Sequence, residues 1–336
     1  MRAIAPVMVA IALVACGGDD DPSAGPTSEP ASEPATPTPT SPTPTPIERW
    51  PLTGLPAPDG VGENPVLVVK VDNSPSARPQ VGLSSADLIV EEPVEGGLTR
   101  LAALYHSELP DQVVPVRSIR TSDVGIVAPT GGALVASGGA QRVLRLMDDE
   151  GITVLAEGGA AGFSRNPDRP SLYSVTVDLA ATVADAADLA SPAIPYLEWA
   201  DDDTVPTGWE EATAVDIKFS AGRTTHWEWD GDRWTQPDDL AAAGDEFTPA
   251  NILVLHVTTR DAGYTDPGGN PVNEVVWDEP GGALLLTGGM AIDAEWSADG
   301  QEAGFVLTGE SGEPIAVAPG RTWVGLVPES GSVQTQ

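Results

Sequence analysis

Two patterns of apolar residues divide the chain. From about residue 50 to 195, β-branched runs alternate with turn-forming segments and helical stretches. "PVLVVKV" (65–71) is a continuous β-branched run and predicts a buried strand. "ADLIVEEPV" (86–94) predicts a second strand, "LTRLAALYHS" (98–107) a third strand or a short helix, and "QVVPVRSIR" (112–120) a fourth strand. "ALVASGG" (133–139) predicts a fifth that ends in glycines. "AQRVLRLMDDEG" (140–151) predicts a helix, with Val143, Leu144, Leu146 and Met147 on one side and Gly151 as its stop. After a strand in "SLYSVTV" (171–177), "DLAATVADAADLA" (178–190) predicts a second helix that starts at Asp178 and stops before Pro192.

From about residue 196 the helical pattern fades. "TAVDIKFS", "NILVLHVTT", "NEVVWD", "GALLLTG", "MAIDAEWS", "AGFVLTG" and "RTWVGLVP" are short apolar runs split by Gly, Asp and Pro. In "HWEWDGDRW", Trp227 and Trp229 alternate with polar residues before Asp230-Gly231, which predicts a hairpin. Six of the nine tryptophans lie from Trp227 onward, as the packing of a β-rich core would use them. The expected fold class is α+β: a mixed α/β N-terminal domain (47–195) packed with a mostly β C-terminal domain (196–330), followed by a tail (331–336).

Ahead of these domains the chain is different in kind. "MRAIAPVMVAIALVAC" has Arg2 at its start and an apolar run over residues 3–14, too short for a stable bilayer span. It ends in a lipobox: Leu13, then Ala15, then Cys16, the only cysteine in the chain. Residues 1–15 therefore read as a signal peptide. Cys16 would become the lipidated N-terminus, set in the outer leaflet of the cell membrane on its extracytoplasmic face. Residues 16–46, rich in Pro, Thr, Ser and acid, lack apolar periodicity and cannot build a core. In polyproline II geometry such a stalk reaches on the order of 90 Å.

The formal net charge of −34 argues against nucleic acid as a partner, because phosphate binding needs a basic surface. No P-loop, dinucleotide fingerprint or zinc spacing is present, so neither cofactor nor metal is expected.

The candidate chemistry lies in "LIVEEPVEGGLTR". In a strand, Glu91 and Glu92 point to opposite faces and cannot flank one bond together. Gly96-Gly97 permit a tight turn, after which Arg100 or an arginine of "PVRSIR" can pair with a glutamate, Glu92 with Arg100 being one such brace. Three readings fit: a glutamate–arginine brace, a ligand-binding cluster, or an acid/base pair using Glu92 or Glu95. "VDNSPSARPQVG" follows the first strand and places Asp72, Asn73, Arg78 and Gln80 at its end, where loops carry function. Arg117 and Arg120 add guanidinium forks suited to carboxylate or phosphate.

Four stretches together ("WPLTGLPA", "VDNSPSARPQVGLSSADLIVEEPVEGGLTRL", "PVRSIR" and "SGGA") resemble the YerB-like lipoproteins of the cell envelope, which have a two-part domain of unknown function. "PGRTWVGLVP" from Pro319 resembles the end of that family's second part. The resemblance covers residues 50 to 330 and implies an anchored, two-part envelope protein. It departs at "DRPSLYS", where Ser171 stands near a histidine common in the family, and at "RWTQPDD", where a second one is absent. The expected function is a binding or scaffold lipoprotein for an envelope protein, a cell-wall polymer or a polar ligand, its pocket lined by Asp72, Asn73, Arg78, Gln80, Glu92, Glu95, Arg100, Arg117 and Arg120. The alternative is a hydrolase or transferase acting on wall material through Glu92 or Glu95.

Overall fold

β-Branched runs form the strands that they predict. In the computed structural model, which describes residues 48–190, 195–202, 208–298, 300 and 303–336, β1 (Leu67–Asp72), β2 (Leu88–Pro93) and β3 (Thr99–Tyr105) are buried almost throughout. The signal peptide, Cys16 and the stalk lie outside the described residues. There follow α1 (Asp123–Val127), β4 (Ala133–Ala136), α2 (Gln141–Asp149), β5 (Thr153–Ala156), β6 (Phe163–Arg165), β7 (Val175–Val177) and α3 (Leu179–Thr182). The rest of the chain is strand after strand: β8 (Glu210–Glu211), β9 (Ala214–Ser220), β10 (Arg223–Trp229), β11 (Trp234–Thr235), β12 (Asn251–Val257), β13 (Thr259–Thr265), β14 (Pro271–Val275), β15 (Gly281–Thr287), β16 (Met290–Ser297), β17 (Val306–Thr308), β18 (Thr322–Pro328) and β19 (Ser332–Thr335). The molecule is thus α+β, with a mixed N-terminal part and a mostly β C-terminal part. Among the described residues no helix is long and apolar enough to cross a membrane.

Eleven of the described strands form one mixed sheet, in the order β17-β16-β15-β12-β18-β2-β3-β1-β4-β5 with β8 beside β16. β18 runs parallel to β12 on one side and to β2 on the other, so the two parts of the chain share this sheet. A second, antiparallel sheet, β11-β10-β9-β19, lies against one face. Ile217, Phe219 and Trp227 of that sheet pack with Ile89, Val254 and Trp323 of the large one. The Trp227 and Trp323 rings meet edge to face at 5.0 Å, an arrangement favoured by their quadrupoles. On the opposite face, Val124 of α1 and Val143 and Met147 of α2 cover Val68, Val90 and Leu104.

Three segments depart from the expected elements. "QVVPVRSIR" is not a strand: Val113, Val114 and Val116 bridge three different partners, Val177, Val81 and Val71. Pro115 has no N–H to continue a ladder, although its carbonyl accepts from Asp72 N–H at 3.1 Å. The second helix is capped by Asp178, whose side chain accepts from Ala181 N–H. It ends at Thr182 and tightens into a 3₁₀ turn, Val183–Ala186, where Thr182 Oγ1 bonds back to the Asp178 carbonyl at 2.7 Å. Residues 332–335, expected within a tail, form β19 and pair with β9.

Candidate functional site

Three glutamates within five positions have three different fates. β2 turns Glu91 toward the second sheet and Glu92 toward the helical face, as strand alternation requires. Glu91 is fully buried and fully satisfied: Asn73 Nδ2 donates at 2.9 Å, Thr99 Oγ1 at 2.7 Å, Thr225 Oγ1 at 2.8 Å and Arg223 Nε at 3.0 Å. It rivets β2 to β10. Gln80 Nε2 donates to Asn73 Oδ1 at 3.3 Å and to the Asp72 carbonyl at 2.6 Å, so Asn73 and Gln80 belong to this rivet and stand apart from the cleft described below.

Glu92 faces the other way, beside Lys70. The register between β1, β3 and β2 sets Lys70, Asp72, Arg100 and Glu92 on one face. Lys70 Nζ donates to Glu92 Oε1 and lies 2.6 Å from Asp123 Oδ1; all three side chains are 0% exposed. Burial, and then the Asp123 charge, push the Glu92 carboxyl well above the ordinary carboxylate range against the pull of Lys70. Among the described residues Glu92 Oε2 has no hydrogen-bond partner.

Glu95 opens a 3₁₀ turn, Glu95–Gly97, in which Gly96 and Gly97 both hold a φ of 71°, a left-handed conformation that glycine adopts without strain. This turn aims Glu95 back at two guanidiniums. Arg120 Nε donates to Oε2 at 2.8 Å and its Nη2 to Oε1, while Arg100 Nη2 reaches Oε1 at 3.3 Å. Burial raises the Glu95 carboxyl, but the Arg120 hydrogen bonds and the two arginine charges outweigh it and hold it below its usual range. Arg100 also donates to the Ser118 carbonyl at 2.9 Å. Burial and then the Arg120 charge lower Arg100 to about 10, which leaves it cationic at neutral pH.

These residues wall a cleft of about 690 Å³. Arg100, Arg117, Ser118 and Arg120 form one side, Gly139 and Ala140 lead into α2, and Tyr264–Gly268 at the β13–β14 turn close it from the C-terminal part. The segment 116–119 is fixed by backbone bonds at the ends of β1 and β4: Arg117 N–H to the Lys70 carbonyl at 2.8 Å, and Ile119 N–H to the Gly138 carbonyl at 3.0 Å. Arg117 is the most open of the three guanidiniums, its side chain 17% exposed against 7% and 9% for Arg100 and Arg120. It faces Asp72 Oδ2 at 3.3 Å, donates to the Leu172 carbonyl at 2.7 Å and sits over the Tyr173 ring at 5.6 Å. The buried Tyr264 hydroxyl has no hydrogen-bond partner among the described residues.

Of the residues expected to line a pocket, Glu95, Arg100, Arg117 and Arg120 do so, and Asp72 backs Arg117. Glu92 is sealed behind them, and Arg78 is exposed with no ion pair among the described residues. Lys70, Asp123 and Tyr264 carry part of the site and were missed. Lys70 had a signal: a lysine inside an otherwise apolar strand, "LVVKVD", must find a carboxylate.

Residues 52–190 match the N-terminal domain, and residues 215–324 the C-terminal domain, of the family described as protein of unknown function DUF3048. The chain is 27% identical over 293 residues to YerB of Bacillus subtilis (strain 168), a protein named as a lipoprotein, covering 84% of this chain and 86% of that one. The crystal structure of YerB from Bacillus subtilis superposes with a TM-score of 0.72 over 85% of this chain and 99% of its own, at 22% identity, and so shares the fold. With both of its domains matched in order, the chain belongs to the DUF3048 family.

Proposed function

We propose that this chain is a membrane-anchored lipoprotein that binds a compact acidic group, a carboxylate or a phosphate, in the arginine cleft. The observation that carries this reading is the convergence of Arg100, Arg117 and Arg120 on one open space. Glu95 occupies two of these guanidiniums, while Arg117, the most open of the three, faces Asp72 through Nε and the Leu172 carbonyl through Nη1 and has further N–H donors beyond those two contacts. Guanidinium forks match such groups bidentately. The net charge of −34 repels an extended polyanion, but at physiological salt that repulsion fades within roughly 8 Å, so a single acidic group is still admitted. Such a group could be presented by a wall polymer or by an envelope protein. The kinship with a protein named as a lipoprotein supports the anchor that Cys16 would provide.

The geometry weighs against hydrolysis. Glu92 has no access to the cleft, and Glu95, held ionised between two guanidiniums, is a poor acid and a weak base. The other carboxylate lining the cleft, Asp266, accepts from Asn270 N–H at 2.7 Å and Asn270 Nδ2 at 3.0 Å, and those bonds hold it below the ordinary carboxylate range, so it too is a poor acid. Native pull-down of the full chain in detergent, read by mass spectrometry, tests the binding reading. An acidic ligand recovered with the wild type and lost with Arg117→Ala is expected; recovery that is indifferent to Arg117 would overturn it.

A further inference from the structure

Lys70 is one of two lysines in the chain, and it is fully enclosed. Its neighbours on β1, Val69 and Val71, are 0% exposed, and its own face of the sheet carries Val68, Val90 and Ala102 of the core. Two carboxylates, Glu92 and Asp123, meet its ammonium in this apolar setting. Three ionised groups would leave a net charge of −1 in a site with no solvent contact. A buried charge without full compensation is strongly disfavoured. Two features relieve that burden. One is the upward push on the Glu92 carboxyl, which favours its neutral form. The other is a reaction open to the remaining pair.

We propose that Lys70 and Asp123 condense within the folded core into an intramolecular isopeptide bond, with Glu92 relaying the proton. The contacts are those of the reactants. Nζ stands 2.6 Å from Asp123 Oδ1, and Glu92 Oε1 accepts a hydrogen bond from the same Nζ. Asp123 Oδ2 accepts from the Arg120 backbone N–H at 2.7 Å. Glu92, neutral at the outset, gives its proton to Asp123 Oδ1 as it takes one from the Lys70 ammonium, and the neutral amine so formed attacks Asp123 Cγ. Negative charge then develops on Oδ2, where the Arg120 N–H stabilises it. The Nζ–Cγ bond forms and the Cγ–Oδ1 bond breaks. Both protons lost by the ammonium end on Oδ1, one of them carried by Glu92, and Oδ1 leaves as water. Oδ2 remains as the amide carbonyl, and Glu92 returns to its starting state. The atoms and charges balance with no oxidant or co-reactant.

The enclosure supplies the direction. In bulk water an amine and an acid do not condense, because water is in excess and both groups are well solvated. Here neither group is solvated, and the product is a neutral amide that removes two charges from the core. Departure of the water leaves no molecule to reverse the step. The bond ties β1 to the start of α1 and closes the chain between residues 70 and 123, with the cleft arginines Arg100, Arg117 and Arg120 inside the loop. The inference is independent of what the cleft binds.

Peptide mapping of the full chain, denatured and digested, tests the proposal. The expected product is one cross-linked species that joins the Lys70 and Asp123 peptides, lighter than their sum by one water. Glu92→Gln, which keeps the side-chain volume, is expected to leave those peptides separate and at full mass. Lys70→Met removes the nucleophile and serves as the unlinked reference. Linear Lys70 and Asp123 peptides from the mature wild type overturn the proposal, whatever the variants do. A bond mapped to Glu92 in place of Asp123 overturns the assignment of roles, as does full linkage in Glu92→Gln.

Discussion

At the scale of single residues, adjacency in sequence says little about environment. Glu91 and Glu92 are neighbours, yet one rivets two sheets and the other sits with a lysine in the apolar core. Their opposition was legible, because strand alternation allows nothing else. The glutamate–arginine brace at Gly96-Gly97 was also legible in kind, and Glu95 fills it. Their partners were not: Thr225 is 134 positions from Glu91 and Arg120 is 25 from Glu95, and no local pattern encodes such pairings. The sign of the Glu95 shift makes a pH prediction. Its folded pKa lies below its ordinary value of 4.5, so its contribution to stability is present above that value and is lost as pH falls through the folded pKa. Glu95→Gln should lower stability at neutral pH by about 1–3 kcal/mol. It should also flatten the decline in urea midpoint below about pH 4.5. A variant with the wild-type slope would show that Glu95 is not held in its ionised form.

At the scale of elements, continuous β-branched runs and the Asp230-Gly231 turn announced their structures, because they depend on local pattern. Trp227 and Trp229 share one face of β10, with exposed Glu228 between them on the other, as alternation implies. The segment 112–120 misled because its valines satisfy three separate neighbours, a tertiary outcome with the composition of a strand. β19 was missed because "SVQT" has one apolar residue, and its stability comes from pairing with β9. That pairing has a measurable consequence. The Gln336 carbonyl accepts from Thr213 N–H at 2.7 Å and from Ala214 N–H at 3.1 Å, beyond the β19 ladder itself. Deleting residues 331–336 should cost roughly 3 kcal/mol or more, at about 1 kcal/mol per hydrogen bond. It also bares β9 as a sheet edge, which should raise aggregation on heating. Unchanged thermal unfolding of the truncated chain would mean that β19 contributes nothing to the fold.

At the scale of the whole molecule, the change in pattern near residue 196 marks a real shift from mixed to mostly β structure. What the pattern could not show is that β18 returns to pair with β2, placing 322–325 beside 88–91 and merging both parts into one sheet. A buried parallel strand carries no signature of its neighbour. The cleft depends on that merger, since its arginines come from the first part and Tyr264–Gly268 from the second. Against a molecule so acidic overall, three guanidiniums gathered in one opening are a local exception that burial energetics alone do not require. Glu95 would suffice to brace two of them. The most direct measurement is calorimetric titration of inorganic phosphate and acetate into the full chain in detergent, at physiological salt, with wild type and Arg117→Ala side by side. An anion site built on Arg117 should show saturable binding of at least one anion by the wild type, weakened about tenfold or more by the substitution, since a charge-assisted hydrogen bond is worth about 1.5–3 kcal/mol. Equal heats from the two proteins, or none from either, would contradict it.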